Sequence, residues 1–328
     1  MPDKPRWAKT AQERIDDTLE YIKAKLELVD YNEVNSKINT MNDNQKKALS
    51  SAISIGSSGT SSNDRETNRE HRRAKRALLM VTKLFLKNDV YLGQEMTRVK
   101  ALSETSSTHL LKELKSWFID PSATHETVAD KAVETIEQMP KWQNINIDPT
   151  KAVRGQIDTQ MEFNCYNAVV FWAFQGGAIS RRFLWNKLHG KDGNAFFPIF
   201  EKCGWNTPIH YDITTKPFKE FTHEYKNRDN WDIPKGQAVY YVTPYKKFGH
   251  VALSLGGGKI ISQNAVIPAK QSAIKTEDRD AVRKMNLAET HMLGIKNFWD
   301  MHYHPENGYH KLQYTTKAFW LAYERAER

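Results

Sequence analysis

The sequence predicts an α+β protein in two parts, an amino-terminal helical domain over residues 1–150 and a carboxy-terminal mixed domain over 151–328. Three observations lead there. Apolar residues in the first half recur at three- and four-residue spacing, the period of one helix face. Only seven of the 36 Phe, Trp and Tyr residues precede position 140, so the two halves differ in composition. Past Thr150 the apolar runs shorten and are broken by Gly, Pro and Asn, which is strand punctuation.

The helical elements follow in order. Thr10-Ala11-Gln12-Glu13 is a capping-box pattern, and Ile15, Leu19, Ile22, Leu26 and Val29 continue it at helical spacing. A Ser/Gly-rich segment over Ser50–Asn63 predicts a flexible loop. Glu66–Lys87 is amphipathic, with Ala77, Leu78, Val81, Leu84 and Phe85 as its apolar face. Further helices are predicted over Leu92–Phe118 and Glu126–Met139, and Pro140–Pro149 reads as the domain boundary. In the second part Cys165 opens an apolar helix that stops at Gly176-Gly177, and Ser180–Leu188 reads as a short helix. Strands are predicted over Gln237–Thr243, Val251–Leu255 and Lys259–Ala265, with Gly256-Gly257-Gly258 reversing the last two.

Composition bounds the function. The net charge of +9 over 328 residues favours an anionic surface as partner, yet no feature calls for specific nucleic-acid recognition. Two cysteines, Cys165 and Cys203, allow one disulfide at most and exclude a disulfide scaffold. No apolar run reaches the roughly 20 residues needed to span a bilayer. The amino terminus lacks the apolar core of a secretory signal, which predicts synthesis in the cytoplasm and, for an exported protein, a dedicated secretion machinery.

The chemistry concentrates in two segments. Asn164-Cys165-Tyr166-Asn167 precedes the run Ala168–Phe174, which puts a thiol at a helix start. Unpaired N–H groups there favour a thiolate and can bind an oxyanion. Gly249-His250-Val251-Ala252 sets an imidazole at the mouth of a hairpin strand, where it can take the thiol proton and return it to a leaving amine. If Leu255 and Lys259 close the turn, Ser262 lies diagonal to His250 on the same face. If the turn is one residue tighter, Gln263 takes that place, with Asn264 next in line. The register is left open by the sequence.

Ile233-Pro-Lys-Gly-Gln-Ala-Val-Tyr-Tyr-Val242 followed by Gly249-His-Val-Ala-Leu-Ser-Leu-Gly-Gly-Gly-Lys-Ile-Ile-Ser262 resembles the second half of the NlpC/P60 cysteine peptidases, a papain-like superfamily. The resemblance covers roughly residues 155–270. It implies a papain-like α+β domain with Cys165 as nucleophile, His250 as base and then acid, and Gln263 or Ser262 as the group that orients the imidazole. It implies no cofactor, a peptide or protein substrate, and amide hydrolysis on cell-wall peptides. Related activities in the superfamily are deamidation, acyl transfer and toxin action by secreted effectors. The sequence departs from the family at Asn-Cys-Tyr-Asn, where Asp-Cys-Ser-Gly is usual, and between Asp192 and Trp231, which reads as an insertion.

Other features have plainer readings. A buried cysteine is commonly a small apolar group, and a non-catalytic binding protein on a degenerate hydrolase fold is the competing class. Cys203 is the substitute nucleophile but precedes no apolar helix. His291, His302, His304 and His310 lack the acidic or thiol partners of a zinc site. Arg72-Arg73-Ala74-Lys75-Arg76 reads as the solvated side of an amphipathic helix.

Overall fold

The computed structural model describes residues 8–26, 31–55, 64–102, 105–138, 147–158, 165–189, 205–210, 233–242, 250–263, 292–294 and 311–315. Among them, no helix is long and apolar enough to cross a membrane. The chain is mixed helix and sheet and divides into two compact units. One comprises Met1–Pro121, Val153–Gly155 and Ser180–Asn186; the other comprises Ser122–Ala152, Gln156–Ile179 and Lys187–Arg328.

The first unit is helical: α1 (Ala11–Lys25), α2 (Tyr31–Asn39), α3 (Asp43–Ile55), α4 (Arg65–Phe85), α5 (Asp89–Ala101) and α6 (Ser107–Ser116). The capping box forms as the sequence predicts, with Thr10 Oγ1 accepting from the Glu13 N–H and Glu13 Oε2 accepting from the Thr10 N–H. Ile15, Leu19 and Ile22 then point inward. Asp64 caps α4, whose Ala77, Leu78, Val81 and Phe85 join one buried cluster with Val99, Leu110, Leu114 and Trp117. The first part of the expected Ser/Gly loop is helix instead, and 56–63 lie outside the described residues. Ser50–Ile55 belongs to α3, because Ser50 is buried and its hydroxyl accepts a 2.9 Å hydrogen bond from Arg14 Nε.

The second unit pairs two helices with a sheet. The helices are α7 (His125–Thr135) and α8 (Cys165–Gln175). They approach closely at Gly176, where a Cβ would lie 2.8 Å from Val128 Cα. The six strands are β1 (Trp205–His210), β2 (Ala238–Val242), β3 (His250–Gly256), β4 (Lys259–Ile261), β5 (Met292–Gly294) and β6 (Lys311–Thr315). Their order is β1-β6-β2-β3-β4-β5, and every neighbouring pair is antiparallel. The β3–β4 turn uses Gly256, Gly257 and Gly258, all at positive φ, which any other residue would adopt at a cost.

The division does not fall at residue 150 as composition suggests. Helix α7 packs on α8 and β3, so it belongs with the sheet. Conversely, the turn α9 (Arg181–Phe183), which runs on into a π-helical turn over Leu184–Leu188, belongs largely with the helices. The reason is electrostatic. The guanidinium of Arg181 is fully buried, 3.0 Å from a Glu95 oxygen and 3.0 Å from a Glu113 oxygen. Arg98 completes the cluster at 2.8 Å from Glu95, and His109 Nε2 lies 2.9 Å from Glu113. Charges this far from water persist only when matched.

Candidate active site

The site lies in the second unit, where the first residue of α8 meets the start of β3. All eleven residues of α8 are buried, so the helix is fixed on every side and its first side chain cannot wander. Cys165 is a free, buried thiol. The backbone N–H groups of Val251 and of the first turn of α8 lie close enough to the sulfur to favour its ionised form.

The Val251 contact has a clear origin in the sheet. The Ser254 N–H donates to Gln237 O on the β2 side, so alternation turns the Val251 N–H towards β4. The ladder to β4 pairs Leu253 with Ile261 and goes no further, because β4 ends there. The N–H beside the sulfur thus belongs to the residue directly after His250 in the chain.

His250 is buried at 3 % exposure and stands opposite Tyr241, with ring centroids 5.9 Å apart. Tyr240 stands opposite Val251. The ring of Tyr166 lies 6.3 Å from that of Tyr240, inclined by 55°.

The register also decides between the two hairpin alternatives. Ser254 pairs with Ile260 and Leu253 with Ile261, the register under which a continued ladder would put Ser262 opposite Ala252, diagonal to His250 on its face, and Gln263 on the other face. The Gly256–Lys259 pairing absorbs the extra residue as a bulge, which composition alone could not foretell. Ser262 and Gln263 are both buried, and Ser262 Oγ has no hydrogen-bond partner among the described residues.

Electrostatics correct one expectation. Burial pushes the Cys165 thiol up to about 11, outweighing the three N–H donors that favour its ionised form. A helix start alone therefore leaves this thiol protonated near neutrality. Burial likewise pushes the Tyr240 hydroxyl up to about 12; the neighbouring Tyr166 opposes the rise, and the nearby Cys165 charge adds to it.

Supporting elements hold the hairpin. Gly236, at φ +81°, lies so close to α7 that a Cβ would sit 2.1 Å from His125 O. The Gly236 N–H donates to Ser254 O at 2.8 Å, and Ser254 Oγ donates to Ile233 O at 2.7 Å. Thr315 Oγ1 on β6 accepts from the Ala238 N–H at 3.0 Å and donates to Gln237 Oε1 at 2.7 Å. Neither Gly236 nor Thr315 stands out in the sequence as a support of the site; the Pro-Lys-Gly turn was the only signal for the first.

Several sequence candidates lie outside the described residues: Asn164, Cys203, Gly249, Asn264, His291, His302, His304 and His310. Among the described residues no group of three His, Cys, Asp or Glu side chains could hold a metal ion. The Arg72–Arg76 run lies on α4 with Arg73 exposed, Arg72 and Arg76 half-buried, and Lys75 buried with Nζ donating to Lys100 O at 2.6 Å. It is thus partly structural. Comparison with protein-family models, curated proteins and solved structures finds no match to this chain.

Proposed function

We propose that Cys165 and His250 are the nucleophile and base of a papain-like cysteine hydrolase that cleaves amide (peptide) bonds. The observation that carries this reading is that α8, which starts at Cys165, packs on β3, which starts at His250. Because the buried thiol is protonated at rest, ionisation waits for proton transfer to the imidazole as substrate arrives. The sulfur then attacks the carbonyl carbon, and the backbone N–H groups at the head of α8 receive the oxyanion. Collapse breaks the C–N bond; the imidazolium gives its proton to the leaving amine. Water, deprotonated by the same imidazole, attacks the thioester, releases the acid and restores the thiol. Ser262 is the group we assign to orienting the imidazole, on the strength of the β3–β4 register. No step calls for a cofactor.

The substrate class we favour is the peptide of a bacterial cell wall, cut by a secreted effector or toxin. The hairpin's likeness to wall peptidases and the net charge of +9, which suits an anionic wall, support it. Purified protein incubated with peptidoglycan should release new amines, and Cys165→Ala and His250→Ala should not. Equal amine release from wild type and Cys165→Ala would end the wall reading and leave a protein-modifying effector, acting as protease, deamidase or acyltransferase. A second reading, a binding protein on a degenerate hydrolase fold, is favoured by the raised thiol pKa. It predicts that His250→Ala leaves the alkylation rate of Cys165 unchanged.

A further inference from the structure

Helix α4 carries charges that its own fold does not use. Arg65, Arg69 and Arg73 recur at every fourth residue, and all three are exposed. That spacing sets them on one side of the helix, about 6 Å apart along its axis. None of the three makes an ion pair or a side-chain hydrogen bond among the described residues. Their neighbours differ. Arg72 Nε donates to Asn68 O at 3.1 Å, and Lys75 Nζ donates to Lys100 O at 2.6 Å. Glu70 turns to α1, where it lies 3.0 Å from Lys25 Nζ and accepts from the Tyr21 hydroxyl at 2.9 Å. Glu66, the other acid of the helix, is exposed at the border of the row.

The row works against the helix. Like charges four residues apart repel, and cations near a helix amino terminus oppose its dipole. Charges that disfavour their own helix and serve no contact within it suit a surface kept for an outside anion.

The residue type narrows that anion. A guanidinium fork meets phosphate oxygens in pairs, and three forks in line suit a chain with one phosphate per repeat better than a single ion. Two other phosphate surfaces fit less well. An interfacial helix sinks an apolar face into lipid, whereas the apolar face of α4 lies in the buried core cluster. Single-stranded nucleic acid stacks its bases on aromatic rings, and Phe85, the one aromatic residue of α4, is buried.

Resting on the cell-wall reading above, we infer that Arg65, Arg69 and Arg73 dock the chain on the phosphodiester polymer of the wall, a polyol phosphate chain. The contact is ionic, makes no covalent bond and needs neither Cys165 nor His250.

The test is binding of the full chain to purified poly(glycerol phosphate), measured by calorimetry at several salt concentrations. Wild type should bind, and more weakly as salt rises. The triple variant Arg65→Glu, Arg69→Glu, Arg73→Glu should bind at least about tenfold more weakly and lower the salt slope by about two to three. A control triple, Lys47→Glu, Lys112→Glu, Lys115→Glu, changes net charge equally at exposed positions outside the row and should lose less than about threefold. Glutamine at the three arginine positions gives the same comparison if the glutamate variant does not fold, since it keeps helix propensity. Equal losses in the arginine and lysine triples, or none in the arginine triple, overturn the inference. Tighter binding of wild type to an oligonucleotide, or to vesicles with anionic headgroups, overturns it as well. Cys165→Ala should bind the polymer as wild type does. Polymer binding through the arginines without amine release from peptidoglycan rejects the hydrolase reading alone. Amine release that depends on Cys165, beside an arginine triple that binds like wild type, rejects the dock alone.

Discussion

The helical unit and the sheet unit both remove polar groups from water, with different chemistry. Around Arg181 the helices match charge against charge: Glu95, Glu113, Arg98 and His109 leave no ion there without an opposite at 3.0 Å or less. Around Cys165 the described residues bring backbone N–H groups to the sulfur, and burial favours the neutral thiol. Matched charges resist change, since losing one strands the others. A neutral thiol held by N–H groups is poised to ionise when a proton acceptor is ready. One arrangement fixes a fold; the other leaves a group whose state can be altered.

The largest expected effect breaks the matched set. Arg181→Ala leaves two buried carboxylates with Arg98 as the one guanidinium they share and should cost about 3–5 kcal/mol, read by chemical denaturation. A loss under 1 kcal/mol would mean the cluster is wetter than its burial indicates. Next comes Gly236→Ala in the sheet unit. The new Cβ meets His125 O at 2.1 Å in a left-handed backbone conformation, and a loss of about 3 kcal/mol follows. Because Gly236 carries the hairpin, hydrogen exchange should rise in β2 and β3 while α1–α6 keep their protection.

pH sharpens the comparison further. Burial pushes the Glu113 carboxyl up, but His109, Arg181 and Arg98 outweigh it and hold it well below the usual carboxylate range. Its stabilisation is present above the unfolded value near ~4.3 and is lost as pH falls. The Cys165 thiol is raised from 9.0 to about 11, so its contribution is present below 9 and is lost as pH rises towards 11. Hydrogen exchange should therefore rise first in the helical unit on the acid side and around α8 and β3 on the alkaline side. Cys165→Ala should remove the part of the alkaline loss that sets in at pH 9, leaving the later part that the raised Tyr240 hydroxyl contributes. The smallest effect is local: Thr10→Ala should cost about 1 kcal/mol and fray α1 alone, leaving Cys165 alkylation unchanged.

Local rules were readable from the chain where a few neighbouring residues settle the outcome. The Thr10–Glu13 box, the Asp64-capped start of α4 and the Gly256–Gly258 reversal all formed near the predicted positions. Thiol and imidazole were likewise legible as a helix start and a strand mouth. The reading failed where a residue's fate depends on a distant partner. Ser50 looked like loop and became helix because Arg14, thirty-six positions away, binds its hydroxyl.

What the sequence determined by itself, then, was the α+β content, the helix caps, the hairpin and the identity of the candidate pair, because capping, periodicity and turn chemistry act within a few residues. Only the tertiary structure decided that α7 joins the sheet, that Arg181 joins the helices, and that Ser262 shares His250's face. It alone showed that Cys165 is buried where α8 packs on β3, which pushes its thiol up. Each of these turns on burial and on partners brought together by folding. A pKa, a buried ion pair and a strand register are properties of surroundings, and those surroundings exist only once the distant segments have met.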